Sequence, residues 1–442
     1  MEALRTQLRR LTIPIFFEIA LVMLVGAVDT FMLSRVSDDA AGAVGYVNIL
    51  VGLVFLVYQF VSTGMSIVCA QYHGAGHRTR IIQVVGIALV LGLVLGLSAS
   101  ALMYFEAEPL LRLMGLRDAQ MADGVAYLKI CGSLSFFQAL GFIFSASLRS
   151  VDRVKEPMWV TGLANILNAV GNYVLIFGNW GSPALGVAGA AWATAGSRIV
   201  SFVLMASIHT AVHIRFYPLR LFVPFPWKEL YNLVRIGIPA MSEELSYCLS
   251  QVTITYFINQ ISADAFTCRT YAMNLIMFVF LFCASITQAG DILVGHLVGQ
   301  KRYRPSYLVG NFFLRWSMAI TLGSSLALAL AGHWIFRAIT ANPEIVRLGT
   351  TILWIDLALE VGRVRNIFAC GTLRAAGDAV YPVVVGVIVQ WSVAVGVAIL
   401  FGLGFGWGLI GFWIAFMLDE NIRGVILMHR WHSKGWVGKS LA

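Results

Sequence analysis

The sequence has 442 residues, 59% of them hydrophobic and only 12% charged, with a formal net charge of +9. A soluble domain carries about 25% charged residues, so this composition excludes a water-soluble globular protein, and the mean hydropathy of +0.81 places the surplus apolar surface against lipid. The basic excess recurs as short groups between apolar runs, which excludes a nucleic-acid-binding patch and fits loops on one side of a membrane.

Apolar runs long enough to cross a hydrocarbon core of about 30 Å fall at 12–33, 43–70, 80–104, 121–148, 157–178 and 186–210. A second set falls at 231–259, 265–295, 305–333, 346–373, 381–403 and 408–431. The connections are short and rich in Gly, Pro and charge. The longest, 213–230, reads as a cytoplasmic linker between an N-terminal six-helix lobe at 1–212 and a C-terminal one at 231–442. With the N-terminus inside, cytoplasmic loops collect most of the Lys and Arg, among them Arg5, Arg9, Arg10, Arg78, Arg80, Arg149, Arg153 and Lys155. The outer loops keep Arg35, Arg112, Arg117, Lys129, Arg269, Arg337 and Arg347. This bias predicts a multi-pass protein of the cytoplasmic (inner) membrane with both termini cytoplasmic. Cys69, Cys131, Cys248, Cys268, Cys283 and Cys370 show no ligand spacing and lie mostly in apolar runs. No disulfide, metal site or cofactor is therefore expected.

A repeat organises the chain. A shift of 225 residues lays Ile13-Pro14 on Ile238-Pro239, Glu18 on Glu243, Tyr46 on Tyr271 and Gly74 on Gly299. It also lays Leu148-Arg149 on Leu373-Arg374 and Pro157 on Pro382. The expected fold is an all-α polytopic membrane protein of twelve helices, two six-helix bundles related by a pseudo-two-fold axis along the membrane normal. The first apolar run follows three arginines as a signal peptide would, but its full counterpart in the second half argues that it is retained.

Asp29, Asn172 and Thr194 fall at one depth when helices are counted at 1.5 Å per residue, about 25 Å, 22 Å and 12 Å from the respective helix ends. An ionisable residue at such depth usually faces a partner or a water-filled cavity. Asn165, Asn168 and Asn172 share a helix face, and Arg198, one turn beyond Thr194, is a possible counter-charge for Asp29. In the second half, Glu243 and Glu244 lie on the seventh run, and Glu360, Arg363 and Asn366 share nearly one face of the tenth. The carboxylates are expected to converge on Arg363 as a charge-compensated network. Asp419, Glu420 and Arg423 read as a local ion pair, and Asp291 and Asp356 stay unassigned.

The segments VDTFMLSR at 28–35 with DDAAGAVG after it, LRSVDRVKEP at 148–157, LRAAGDAVYP at 373–382 and NILNAVGNYVLIFG at 165–178 resemble the multidrug and toxic compound extrusion (MATE) transporters. So do GVAGAAWAT at 186–194 and ILVGHLVGQ at 292–300. The resemblance spans nearly the whole chain. It implies a secondary-active antiporter, not an enzyme, that exports small organic, often cationic, compounds against inward Na⁺ or H⁺ by alternating access, as a monomer in lipid. It assigns Asp29, Asn168, Asn172 and Thr194 to a cation-responsive site, although many relatives carry Asp where this chain has Asn172. It also implies cation-coupling acids on the seventh and tenth helices, where this chain offers Glu243, Glu244 and Glu360 and has Arg363 at a position that commonly holds Asp. The alternative is a lipid-linked precursor flippase of the same superfamily, which tends to carry more than twelve helices and a strongly basic cavity.

Overall fold

The structure is a computed structural model that describes residues 2–442. No strand occurs among the described residues. The first half holds α1 (Glu2–Ser34), α2 (Asp38–Gly74), α3 (Arg78–Phe105), α4 (Ala107–Leu113), α5 (Asp118–Ser133), α6 (Ser135–Ser150), α7 (Lys155–Phe177) and α8 (Val187–Val212). The second half holds α9 (Trp227–Ile261), α10 (Ala263–Gly299), α11 (Tyr303–Ile339), α12 (Pro343–Ala375), α13 (Val380–Val389) and α14 (Gly408–His432). Wider π turns at Gln390–Val397 and Leu400–Gly404 prolong α13.

The repeat is visible in backbone detail. Adding 225 to both bounds of α2 gives those of α10, and the first residues of α1, α3 and α7 map onto those of α9, α11 and α13. Ser37 and Ser262, also 225 apart, cap α2 and α10 in the same way, each hydroxyl accepting from the backbone N–H three residues on. That contact satisfies one of the four N–H groups a helix start leaves open. Gly76 and Lys301 share a left-handed backbone, as do Asp152 and Gly377, so both halves turn the same two corners alike.

By internal contacts the chain forms two compact units, Phe17–Ile238 and a second made of the residues up to Phe16 together with Pro239–Ala442. The chain passes between them inside α1 and α9, close to the helix-interior prolines Pro14 and Pro239, which the repeat superposes. The core of the first unit gathers Leu33, Val44, Val47, Leu111, Tyr127 and Ile176. That of the second gathers Ile258, Ile276, Phe336, Leu353, Phe412 and Trp413.

Twelve spans result when the seven-residue α4 is left out and α5 with α6 and α13 with its π turns each count once. The fourth run, expected as one unbroken helix, is bent by 44° between α5 and α6. Hydroxyl groups replace the interrupted ladder: Phe136 N–H donates to Ser100 Oγ (3.2 Å), which lies 3.0 Å from Ser135 Oγ, itself 2.8 Å from the Tyr58 hydroxyl. Side-chain hydroxyls of this kind let a broken helix persist in lipid. Among the described residues, seven spans are long and apolar enough to cross a membrane by length and composition, and the bent pair makes an eighth. The remaining four, α1, α9, α12 and α14, each carry acids within the helix: Glu18 and Asp29, Glu243 and Glu244, Asp356 and Glu360, Asp419 and Glu420. Each such residue at membrane depth costs at least about 2.5 kcal/mol on insertion scales, so a partner or a water-filled cavity is expected beside it.

Candidate functional site

Two polar clusters are built on close helix crossings. In the first unit, α7 and α8 meet at glycines: a Cβ on Gly189 would lie 2.3 Å from Leu175 O, and one on Gly171 would lie 2.9 Å from Ala193 Cβ. Small residues let backbones approach in this way. The residues next to that crossing, Asn172 and Thr194, are thereby brought to Asp29 on α1.

Asn172 Nδ2 donates to Asp29 Oδ1 at 2.5 Å, and Thr194 Oγ1 donates to Asp29 Oδ2 at 3.4 Å. Asn168 Nδ2 donates to Thr194 Oγ1 at 3.2 Å, and Asn172 Nδ2 also lies 3.4 Å from Asn168 Oδ1. All four side chains are buried, Asn172 completely. Asn172 Oδ1 is buried with no hydrogen-bond partner among the described residues. The cluster thus presents one carboxylate, held by neutral donors, and one unclaimed oxygen. Tyr127 of α5 adjoins it, a neighbour that sequence reasoning missed because nothing in α5 marks its depth.

One expectation needs correction here. Arg198 makes no ion pair with Asp29; its guanidinium stacks over the Phe55 ring at 5.1 Å, leaving Nη1 without a hydrogen-bond partner. The side chain of an arginine is long enough to choose an aromatic face over a carboxylate already held by two donors. Asn165 stands apart from the cluster, donating to Leu21 O at 2.6 Å and tying α7 to α1. Beside the cluster, α1 and α7 border an open groove of about 550 Å³ lined by Phe17, Leu21, Leu24, Val28, Trp159 and Ile166, with Asn168 at its polar edge.

In the second unit, α12 and α14 cross where a Cβ on Gly362 would lie 2.4 Å from Asn421 N, and one on Gly424 would lie 2.8 Å from Gly362 O. Charges flank both glycines. Arg363 pairs with Glu360 and lies 3.9 Å from Asp356 and 4.0 Å from Glu420. Arg423 pairs with Asp419 and reaches Glu420 at 3.2 Å. Asn366 Nδ2 donates to Glu420 Oε2 at 2.8 Å, and Trp413 Nε1 donates to Asp356 Oδ1 at 3.4 Å. Four carboxylates thus face two guanidiniums, formally −2. Glu360 Oε2, Asn366 Oδ1 and Asp419 Oδ1 are buried with no hydrogen-bond partner among the described residues.

The expected convergence of Glu243 or Glu244 on Arg363 does not occur. Glu243 lies 3.7 Å from Arg374 and receives the Cys370 thiol, while Glu244 is exposed. The physical reason is register: Arg363 sits three turns deeper along α12 than Arg374 and is claimed by acids on its own helix and on α14. Asp419, Glu420 and Arg423 are accordingly more than a local ion pair. Among the described residues, no group of three or more His, Cys, Asp or Glu side chains is arranged to hold a metal ion.

A profile of the MatE family matches residues 14–174 and 239–400, once in each half. The chain is 37% identical over 433 residues to the Bacillus subtilis protein named "Uncharacterized transporter YisQ", covering 98% of this chain and 95% of that protein. It is 27% identical over 438 residues to the "Probable multidrug resistance protein NorM" of Thermotoga maritima, covering 98% and 93%. A crystal structure of a MATE protein in a bent conformation superposes with a TM-score of 0.91 at 18% identity, covering 99% of this chain and 97% of that one.

Proposed function

Because the chain belongs to the MatE family, the multidrug and toxic compound extrusion transporters, we propose that it exports small organic compounds by alternating access, driven by inward-moving H⁺ or Na⁺ that binds at Asp29. The family places it among multi-pass membrane exporters. The coupling ion, the residues and the orientation, with both termini cytoplasmic in the inner membrane, are our reading.

The observation that carries this reading is the state of Asp29: buried, held by Asn172 and Thr194 and without an ion pair among the described residues. An ionised carboxylate so placed is costly unless a cation joins it, and the unclaimed Asn172 Oδ1 beside it supplies a further acceptor. One H⁺ or one Na⁺ removes the excess charge, and the site becomes comfortable to carry through an apolar environment. The apolar groove that shares Asn168 offers the organic substrate a surface in the same unit. Its lining suits flat or aliphatic groups, and a substrate cation and a coupling cation would compete for one negative charge, which is the logic of antiport. The acid network on α12 and α14 supplies a second reserve of negative charge.

Relatives named as multidrug resistance proteins bring drug-like compounds forward as first probes. A flippase for lipid-linked precursors is less well matched, since both buried clusters are net acidic whereas an anionic headgroup asks for a basic cavity. The test is accumulation of ethidium in bacterial cells stripped of their own efflux pumps. Cells expressing the chain should retain several-fold less dye than vector controls, and a protonophore or removal of Na⁺ should erase the difference. Equal retention across a panel of cationic dyes would count against drug-like export.

A further inference from the structure

The repeat duplicates a contact as well as a fold. In the first half, Arg149 Nη1 lies 2.7 Å from Glu18 Oε1, and Ser145 Oγ donates to the same oxygen at 3.1 Å. Adding 225 to each number gives Glu243, Cys370 and Arg374, and the structure joins these three in the same pattern. The Cys370 thiol lies 3.3 Å and 3.4 Å from the two Glu243 oxygens, and Arg374 Nη1 lies 3.7 Å from Oε2. Each clamp sits one turn beyond the helix-interior proline, Pro14 or Pro239, and ties that helix to the one ending at Ser150 or Ala375.

One further position breaks the symmetry. In the first half, Ser66 Oγ donates to Ala146 O at 3.4 Å, closing the site with a neutral hydroxyl. The matching residues are Asp291 and Gly371. The Asp291 carboxylate rests against Gly371, whose absent side chain makes the room: a Cβ there would stand 2.3 Å from Asp291 Oδ2. Asp291 Oδ1 is buried and meets no hydrogen-bond partner among the described residues. The cation facing it is Arg374, already engaged by Glu243. The titratable groups around Arg374 are Glu243, Glu244, Asp291 and the neutral Cys370 thiol, so three carboxylates share one guanidinium where the first half has one of each.

We infer that this second-half clamp is a proton-binding site, in which Asp291 carries the proton while Arg374 holds Glu243. A bare carboxylate with a buried, unpartnered oxygen is strongly disfavoured, and protonation removes its charge without any new partner. When the proton leaves to water, Asp291 becomes an anion and Arg374 turns to it; Glu243 then keeps the Cys370 thiol as its donor. The exchange is a proton dissociation with a change of ion-pair partner, and it consumes no other reactant. Gly371 is the permissive feature, because any side chain there would expel the carboxylate from its seat.

Infrared difference spectroscopy on the purified chain in lipid nanodiscs, without substrate, reads this directly and does not depend on which ion drives export. Titrating pH in H₂O and D₂O, the wild type should show a carboxylic acid C=O band that disappears at high pH. Asp291→Asn and Asp291→Ser, the latter restoring the residue type of the first half, should both lack that band while eluting as monodisperse protein. Arg374→Gln should keep the band but alter the pH range over which it disappears, because the partner that receives the ionised form is gone. A titrating band identical in wild type and both Asp291 variants overturns the proton site. A band in Arg374→Gln that titrates as in wild type overturns the exchange of partners.

Discussion

Asp29→Asn should reduce gradient-driven export to the background of empty membranes while leaving expression and monodispersity near wild type. The variant keeps the shape of the side chain and removes only its ability to hold a charge. An asparagine at 29 can still accept from Asn172 Nδ2, the 2.5 Å contact, with its Oδ1. Its amide would then face Thr194 Oγ1, where the hydroxyl must turn from donor to acceptor, an adjustment a rotating O–H makes freely. The fold should therefore change stability by no more than about 1–2 kcal/mol, the scale of one rearranged buried hydrogen bond. Transport is another matter. Without a carboxylate the cluster has no charge for H⁺ or Na⁺ to neutralise, and under the proposed mechanism the two access states would lose the ligand that distinguishes them. Arg198 also lies within electrostatic reach of Asp29 and would be left with a neutral neighbour. Efflux of dye from proteoliposomes, set beside size-exclusion profiles of the same samples, separates the two effects. Normal efflux by the variant would move coupling to the second half, to Glu360 or to Glu243 and Glu244.

Arg363→Gln should behave in the opposite way, failing first in folding. Arg363 faces Glu360, Asp356 and Glu420 at once, and Glu360 and Asp356 are buried almost completely. Removing one partner of a buried ion pair costs about 3–5 kcal/mol because the other charge is left uncompensated. Here three acids lose their common cation, with only Arg423 left to serve Glu420 and Asp419. A loss of that size is a large part of the marginal stability of a folded chain. The unfolding midpoint of detergent-solubilised protein should fall by many degrees, and yield should fall with it. Adding Glu360→Gln should restore much of the loss by removing the acid most dependent on Arg363. A single variant as stable as wild type would mean that the four acids are not jointly held by the two arginines.

The architecture was readable because lipid imposes long apolar runs and the repeat fixes their correspondence; the caps at Ser37 and Ser262 and the helix starts follow the 225-residue offset. The bend between α5 and α6 was hidden, since Gly132, Ser133 and Ser135 are ordinary residues in a membrane helix until Ser100 and Tyr58 meet them. The Asp29 cluster was legible because helix rise converts residue number into depth, and depth agreement among α1, α7 and α8 was enough to group Asn172 and Thr194 with it. Which way Arg198 points was not, because a long side chain chooses among neighbours that only packing reveals.

The second unit was read less well for a specific reason. Charges on α12 and α14 interleave only because Gly362 and Gly424 bring two backbones almost into contact, and a glycine's partner is not written in its own sequence. The partner of Glu243 was legible and was passed over: the offset that pairs Glu18 with Glu243 also pairs Arg149 with Arg374, so the salt bridge of one half predicts that of the other.

The central claim is that export is coupled to an ion moving the other way. Proteoliposomes preloaded with ethidium, in which a proton gradient or a Na⁺ gradient is imposed alone at fixed membrane potential, test it most directly. One of the two gradients should accelerate release of the dye through the chain several-fold, and the matching ionophore should abolish the acceleration. Release at the same rate under either gradient, under both and under neither would contradict the claim.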